Sequence, residues 1–236
     1  MKNLEIIREL EKQPVFNLKK VKEIIGKKGN YAKLVAFRLK KQKLILEIER
    51  NKYTVQKDPL IIASNLSWPS YISCWSALRY HNLTEQLPQN IFIVTTRARK
   101  KRRINFLETK MIFIKISPKY FFGYKKEIYN GFEIFIAEKE KALIDSALLK
   151  KISFSELAEI IKNNKENLDF DLLINYLIKI KNKTLIKRFG FLLEKLGFSI
   201  KKLEKFIDYK YITLDYAVQK NGRKNKKWKI IENVEL

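Results

Sequence analysis

Residues 14–55 hold two short amphipathic segments, a lysine-rich turn between them and a further short segment after them. Apolar residues in Leu18–Ile25 recur with the spacing of one helical face, and Asn17 is suited to cap the start of that helix. Asn30 is suited to cap a second helix over residues 31–41. The turn between them contains glycine, which tolerates the left-handed backbone of a helix end. This part of the chain therefore predicts a helix, a tight turn and a second helix.

A short hairpin is predicted directly after the second helix. Residues 44–48 and 53–55 have the pattern of two short strands, and the polar residues 50–52 between them suit a turn. Helix, turn, helix and hairpin in this order are typical of a winged helix-turn-helix, which places its second helix in a DNA groove and its hairpin on the flanking backbone. We predict such a domain over residues 1–56, with a first helix over residues 2–12.

The second predicted helix has an outward face that suits nucleic acid. If Ala32, Val35, Ala36 and Leu39 face the core, the basic side chains lie on the outside as donors to phosphates and base edges. The predicted DNA contacts are Lys27, Lys28, Asn30, Tyr31, Lys33, Arg38, Lys40, Lys41, Arg50 and Lys52. Residues 1–56 contain 15 Lys and Arg against 6 Asp and Glu, a formal charge of +9. Winged helices also serve as protein-interaction modules, and that alternative stays open.

The whole chain is strongly basic, with 50 Lys and Arg residues against 25 Asp and Glu residues and a formal charge of +25. Such a chain repels itself unless a polyanion neutralises it, which favours nucleic acid or an anionic membrane as the partner. The alternative is that most of the lysines only keep the surface solvated.

Compartment can be predicted from cysteine usage and hydropathy. Cys74 is the only cysteine, so an intramolecular disulfide is impossible and a reducing environment is expected. The chain does not open on a charged and then apolar targeting signal, and no apolar run approaches the roughly 20 residues of a membrane span. We therefore expect a cytoplasmic protein without a membrane partner.

Residues 57–236 are predicted to form a larger mixed α+β domain, so that the chain as a whole is α+β. Helical spacing predicts helices over residues 70–81, 137–149, 154–163, 169–180, 183–196 and 200–207, while residues 58–66 are either a short helix or a connector. Alternation predicts strands over residues 91–96, 104–107 and 111–116, a hairpin over 127–136 that turns at Asn130 and Gly131, and final strands over 211–218 and 228–234.

A run of basic residues separates two of these strands. It consists of Arg97, Arg99, Lys100, Lys101, Arg102 and Arg103, which are six of the seven residues in 97–103. A loop with this charge cannot be buried without an anion, so it is either a second nucleic-acid contact, to DNA or to RNA, or a solvated loop. A second basic run over 220–229 contains Trp228, which is expected to anchor the last strand in the core rather than to stack on a base.

Residues that commonly carry catalysis are sparse. His81 is the only histidine, which excludes histidine-cluster metal sites, and no glycine-rich phosphate loop occurs. We expect His81 to be a packed or capping residue and Cys74 to lie on the apolar side of its helix. Glu138, Glu140 and Asp145 suggest a carboxylate-dependent nuclease, but their spacing along one helix favours a charged face in solvent. We predict no catalytic residue, no metal, no cofactor and no enzymatic activity.

Several sequence elements resemble the AbiEi family of antitoxins, which are described as transcriptional regulators of viral defence systems. The elements are PSYIS, WSAL and LTEQ within residues 68–103, FFGY at 121–124, and FIAEKEKALIDSALL at 135–149. The resemblance spans nearly the whole chain, including the predicted winged helix and the terminal LDYAVQKNGRKNKKWKIIENVEL. The first three elements together with EKALIDS are more specific than any one of them.

The resemblance implies a role in a type IV toxin–antitoxin, or abortive-infection, system. It implies that the N-terminal domain represses its own operon by binding inverted repeats in the double-stranded promoter DNA. The C-terminal domain would counteract a nucleotidyltransferase-like toxin without a stable complex. The family's basic DNA-contacting positions correspond here to Lys27, Lys28, Lys33, Arg38, Lys40, Arg50 and Lys52. The alternatives are a stand-alone regulator without a toxin, and an RNA-binding or protein-interaction module that uses the 97–103 loop.

Overall fold

The computed structural model describes residues 3–27 and 29–236, and Lys28, one of the predicted DNA contacts, lies outside the described residues. Within those ranges the protein contains ten α-helices and eleven β-strands, and it is a mixed α+β protein as predicted. The chain forms two compact units. The first comprises the chain up to Ile72 with Gln89–Ile116 and Lys126–Ile136, and the second comprises Ser73–Pro88, Ser117–Lys125 and Ala137–Leu236.

The first unit begins with three helices and a hairpin, which are α1 (Asn3–Glu11), α2 (Leu18–Ile25), α3 (Gly29–Lys41), β1 (Leu46–Glu49) and β2 (Lys52–Thr54). Asn17 caps α2 by accepting a hydrogen bond from the Lys20 amide at 3.1 Å, and Gly26 ends α2 with a left-handed φ of 66°. Both ends of α2 therefore lie where the sequence predicts them. Two backbone hydrogen bonds between Phe16 and Tyr53, at 2.9 and 2.8 Å, join the hairpin to the segment before α2.

These elements enclose a hydrophobic core of their own. Its buried members are Ile6, Leu10, Phe16, Val21, Ala32, Val35, Ala36, Leu39 and Ile45. The four apolar residues of α3 that were predicted to face the core all belong to it. Burying one large aliphatic side chain stabilises a fold by about 1.5 to 3 kcal/mol. A rotation of α3 that exposed its apolar face would lose this stabilisation, so the core fixes which face of α3 remains outside.

The rest of the first unit is built on a six-stranded sheet. Its strands are β3 (Ser70–Ser73), β4 (Asn90–Thr95), β5 (Arg103–Phe106), β6 (Thr109–Lys115), β7 (Tyr124–Tyr129) and β8 (Phe132–Ala137), and helix α4 (Pro59–Asn65) packs on β4 and β6. The strand order is β5-β6-β4-β3-β8-β7, with β4 parallel to β6, β3 parallel to β8 and β5 antiparallel to β6. Asn130 and Gly131 turn the chain between β7 and β8 with φ angles of 47° and 80°, which confirms the predicted hairpin.

The first half of one predicted helix is wrong. The sequence predicts a helix over residues 70–81, whereas Ser70–Ser73 is strand β3 and the helix, α5 (Trp75–Tyr80), begins only after Cys74. Cys74 has a φ of 55° and a ψ of −141°, which lies outside the helical region. All four side chains of β3 are buried, and a strand buried on both faces lacks the alternation by which a strand is recognised.

The second unit is mainly helical. It contains α5, α6 (Lys139–Leu148), α7 (Phe154–Asn163), α8 (Phe170–Ile180), α9 (Lys183–Lys195) and α10 (Lys201–Glu204), and α6 contacts α5, α7, α8 and α9. Ser153 forms a capping box with Glu156, while Asp169 and Asn182 cap α8 and α9. The helices predicted over residues 137–207 are thus confirmed, with the last one shortened to a single turn. None of the helices in the described parts of the chain is both long and apolar enough to cross a membrane.

The chain ends in a small sheet of β9 (Ile212–Thr213), β10 (Arg223–Asn225) and β11 (Ile230–Glu232), in the order β10-β11-β9. The strands predicted over 211–218 and 228–234 are therefore too long, and β10 lies in the predicted basic loop. Asp215 explains the early end of β9, because its buried carboxylate accepts hydrogen bonds from the amides of Ser155 and Ala217 and turns the chain. Trp228 is fully buried, as predicted.

Candidate nucleic-acid interface

Helix α3 presents a basic outward face. Lys33, Arg38 and Lys41 are exposed, and none of them forms an ion pair within residues 3–27 and 29–236. Asn30 and Tyr31, which were predicted to contact DNA at the start of this helix, are also exposed. Because the opposite face of α3 is buried in the core, these side chains are held on one side of the helix. That arrangement can place several hydrogen-bond donors along a polyanion.

Large apolar side chains share this outward face. Tyr31, Leu34 and Phe37 leave 45%, 42% and 64% of their surface exposed. Apolar groups on a helix can contact thymine methyl groups in a DNA groove, and they can equally cover an apolar patch of a protein. The face is therefore mixed in character, basic and apolar, rather than basic alone.

Lys40 lies on the same helix but its charge is already paired. Its ammonium donates a hydrogen bond to the Glu47 carboxylate on β1, and this bond raises the pKa of Lys40. Lys27, in contrast, is exposed in the turn between α2 and α3. Among the described basic residues of α3, Lys40 is thus the least available to a phosphate.

The hairpin separates the two basic residues that were predicted at its tip. Arg50 is exposed at the turn and has no ion pair in the described chain. Asn51, with a φ of 60°, accepts a hydrogen bond from the Leu18 amide at 3.0 Å and so links the turn to the start of α2. Lys52 instead donates to the Leu66 carbonyl at 2.7 Å and pairs with Glu49 at 2.9 Å. Arg50 points outward, whereas Lys52 holds the hairpin in place.

Arg99, in the middle of the basic loop, contacts the same hairpin. Its Nη2 donates to both carboxylate oxygens of Glu49, at 2.9 and 2.8 Å, and its guanidinium lies 4.0 Å from the centre of the Phe113 ring. Only 13% of the Arg99 side chain is exposed. Burial alone would raise the pKa of Glu49, but the hydrogen bonds and charges of Lys52 and Arg99 outweigh burial and lower it.

The remaining basic residues of the loop stay on the outside. They are Arg97, Lys100, Lys101, Arg102 and Arg103, the last of which begins β5, and all five are exposed with none in an ion pair within the part of the chain that the structure describes. The structure therefore brings one member of the loop, Arg99, to the hairpin and leaves its neighbours in solvent.

Sequence reasoning missed the two acidic residues that organise this surface. Glu47 neutralises Lys40, and Glu49 holds both Lys52 and Arg99. One sequence feature could have drawn attention to them. Residues 1–56 contain only 6 acidic residues, and two of these lie within three residues of the predicted hairpin tip. Their partners could not be read from that signal.

The second unit holds a buried polar cluster on α6, where the sequence predicts a charged face in solvent. Glu140, Lys141 and Asp145 are all buried. The Lys141 ammonium donates to Asp145, which also accepts a hydrogen bond from the Ser73 hydroxyl at 2.9 Å. Glu140 accepts one from the Asp169 amide at 2.9 Å. The predicted solvent face is wrong, because α6 packs against four other helices, and its buried charges are paired within α6, with Ser73 on β3 and with the start of α8.

Cys74 is buried in the protein, and His81 contacts a backbone carbonyl. Burial raises the pKa of the Cys74 thiol to about 12, and the nearby charge of Asp145 adds to this effect. The thiol is therefore protonated at neutral pH. His81 ends α5, with Nε2 at 2.7 Å from the Ala137 carbonyl oxygen, and burial lowers its pKa. Within the described residues, no three side chains of His, Cys, Asp or Glu are arranged to hold a metal ion.

Some of the residues that carry the family resemblance line a cavity in the second unit. The cavity has a volume of 420 Å³, and its walls include Trp75, Thr84, Glu85, Gln86, Glu156 and Glu159. Glu156 already serves in the capping box of α7, whereas Glu85 and Glu159 are exposed. The lining is acidic in a chain that is otherwise strongly basic, and no residue of it was among the predicted contacts.

Comparison of the sequence with models of known protein families, and with curated proteins, finds no match. Function must therefore be inferred from the geometry of the basic surface and from the sequence elements quoted above.

Proposed function

We propose that residues 1–56 form a winged helix-turn-helix that binds double-stranded DNA, with α3 in the major groove and the β1–β2 hairpin on the adjacent backbone. The observation that carries this proposal is the outward face of α3. Every charged side chain in that 13-residue helix is basic, and Lys33, Arg38 and Lys41 are exposed without an ion pair in the described chain. A helix whose other face is buried presents such donors to base edges and phosphates without unfolding.

The elements around α3 give further support. A short turn after the left-handed Gly26 separates α2 from α3, which suits two helices packed at a steep angle. The hairpin follows α3 directly and carries the exposed Arg50 at its tip. Asn51 bonds to the start of α2 at 3.0 Å, so the tip is held beside the helices rather than free to swing. An ordered tip loses less entropy when it contacts a phosphate.

The biological role rests on the family resemblance. Within this proposal the protein represses its own operon by binding inverted repeats in its promoter, and it acts as the antitoxin of a type IV toxin–antitoxin system. Residues 57–236 counteract a nucleotidyltransferase-like toxin without a stable complex. The role includes no catalytic step and requires no cofactor.

A matched pair of variants tests the DNA-binding part. Lys33→Ala and Lys40→Ala remove the same charge from the same helix, but only Lys33 is free to contact a phosphate. Binding to a duplex from upstream of the gene, followed by fluorescence anisotropy, should weaken for Lys33→Ala. The slope of the logarithm of the binding constant against the logarithm of the salt concentration should become shallower by about 0.9. Lys40→Ala should change the slope little. Equal effects of the two variants would mean that only net charge matters and that α3 does not read the groove.

A second experiment tests the antitoxin part separately. The full chain is co-expressed with the product of an adjacent reading frame that arrests growth, and relief of the arrest is measured. A Lys33→Ala/Arg38→Ala variant should lose promoter binding but still relieve the arrest, because neutralisation is assigned to residues 57–236. If neither protein relieves it, the chain is a stand-alone regulator.

The apolar side chains on α3 favour a second candidate, a protein-interaction module. Leu34 and Phe37 would then enter a groove on a partner protein, a mode that uses the same helix face. Salt separates the two candidates, since phosphate contacts weaken steeply with added salt and apolar contacts do not. A complex that survives high salt and is lost in Phe37→Ala would favour the protein partner.

A further inference from the structure

Two basic segments that are far apart in the sequence meet at Glu49. Arg50 directly follows Glu49 at the hairpin tip, and Lys100 directly follows Arg99 in the loop. Successive Cα atoms are about 3.8 Å apart, so each of these exposed cations begins one residue away from the ion pair. The hairpin tip and the loop are therefore neighbours on one surface of the first unit.

The contact between them is specific in geometry. Arg99 donates to both oxygens of Glu49, at 2.9 and 2.8 Å, and its guanidinium stacks on the Phe113 ring. Both hydrogen bonds come from one nitrogen, Nη2, while the planar guanidinium lies over the ring face, a combination that a lysine ammonium cannot reproduce. Only 13% of the Arg99 side chain and 16% of the Glu49 side chain are exposed. A loop that only needs solvation requires no such anchor at its centre.

The charges around the anchor do not cancel. Glu49 pairs with both Arg99 and Lys52, so these three residues together carry a formal charge of +1. The other cations nearby, Arg50, Arg97, Lys100, Lys101, Arg102 and Arg103, are exposed. Double-stranded DNA carries one negative charge per roughly 1.7 Å of its axis, so a duplex beside the hairpin tip would meet several of these cations.

We infer that residues 97–103 form a second phosphate-contacting arm, continuous with the hairpin tip, and that Arg99 and Glu49 are the positioning pair that holds it there. The inference rests on the proposed function, because its ligand is the same duplex DNA that α3 contacts. The arm adds phosphate contacts, which carry no base preference, and extends the bound stretch of backbone. Since the arm is already ordered by the ion pair, binding costs it less entropy.

The first test removes the arm's cations from the full chain. Lys100→Ala/Lys101→Ala/Arg102→Ala is compared with a control that removes three exposed lysines elsewhere, Lys201→Ala/Lys202→Ala/Lys205→Ala. The probe is a long duplex of mixed sequence, titrated between about 50 and 200 mM salt. Each phosphate contact contributes about 0.9 to the slope of log binding constant against log salt concentration, so the arm variant should have a slope shallower by up to about 2.7. Its loss of affinity at the low-salt end should then exceed its loss at the high-salt end by about 40-fold. Equal slopes for the two variants would overturn the arm.

The second test addresses the positioning pair. Glu49→Gln makes the protein more positive by one charge, so general electrostatics predicts tighter binding and a steeper slope. A positioning role predicts the opposite, weaker binding and a shallower slope, because the arm is released from the hairpin. Glu49→Asp, which keeps the carboxylate, should recover part of the slope. Circular dichroism and thermal unfolding check that each variant is folded at the assay temperature, and tighter binding by Glu49→Gln would overturn the positioning role.

The outcomes separate this inference from the proposed function. If the unmodified protein does not bind duplex DNA at all, the proposed function fails. If binding is lost in Lys33→Ala/Arg38→Ala but unchanged in the arm variant, only the arm is wrong. If the arm variant loses affinity for a stem–loop RNA probe and not for the duplex, the loop is an RNA contact and the inference is overturned.

Discussion

Glu49 accepts hydrogen bonds from Arg99 through both carboxylate oxygens, at 2.9 and 2.8 Å, although the two residues are 50 positions apart in the sequence. The contact places the basic loop of residues 97–103 beside the hairpin. The loop and the hairpin, which the sequence presents as competing candidates for nucleic-acid contact, therefore belong to one surface.

Acid should weaken the contribution of Glu49 to stability. Its pKa is lower in the folded protein than its usual value of about 4.3, so the stabilisation is complete above that value and is lost as the pH falls through the folded pKa. Urea unfolding of the unmodified protein and of Glu49→Gln should differ most at neutral pH and converge in acid. The comparison isolates Glu49 from other carboxylates. A difference that stays constant from neutral to acid pH would contradict the assigned role.

The buried pair on α6 predicts an asymmetry between single and double variants. Asp145→Ala should destabilise the protein by about 3 to 5 kcal/mol, because it removes the carboxylate that pairs with the buried Lys141 ammonium. Lys141→Met/Asp145→Leu removes both charges and should recover most of that loss. Chemical unfolding of the three proteins measures the difference. If the double variant is as unstable as Asp145→Ala, loss of packing and not loss of the Lys141–Asp145 ion pair is the cause.

Gly190 should not tolerate a methyl group. A Cβ at this position would lie 2.1 Å from two ring carbons of Trp228, which is fully buried. Alanine normally stabilises a helix relative to glycine by about 0.5 to 1 kcal/mol, but this overlap should make Gly190→Ala destabilising by about 3 kcal/mol. In a Trp228→Leu background the same change should be close to neutral, because the ring is gone. Additive effects in thermal unfolding would show that Trp228 is not the obstacle.

Cys74 should resist alkylation in the folded state. The thiol is buried, and its pKa of about 12 leaves almost no thiolate at pH 8. Iodoacetamide followed by mass spectrometry should show no adduct in native buffer and one adduct in urea. Rapid native labelling, at the rate of an unfolded peptide thiol, would mean that the strand-to-helix turn at Cys74 opens to solvent.

Part of the candidate site could be predicted because it depends on one helix. The apolar spacing of α3 assigned Lys33, Arg38 and Lys41 to the outer face, and they are exposed there. The same reasoning could not distinguish Lys40, since its pairing with Glu47 depends on the position of a strand that follows the helix. Sequence also offers no basis for separating Arg99 from its neighbours in the loop, because its partner lies 50 residues away.

Local sequence by itself determined most of the helices, the Asn17 cap of α2 and the hairpin turn at Asn130 and Gly131, because these features depend on side chains within a few residues of one another. It did not fix the start of α3, which begins at Gly29 and so places the predicted cap residue Asn30 inside the helix. Tertiary structure alone decided that Ser70–Ser73 is a strand and that Lys141 is buried. It also decided that Arg99 serves as an anchor. Each of these features depends on segments distant in the sequence, which exclude water and supply a hydrogen-bonding or charged partner. The spacing of residues along the chain does not predict such contacts.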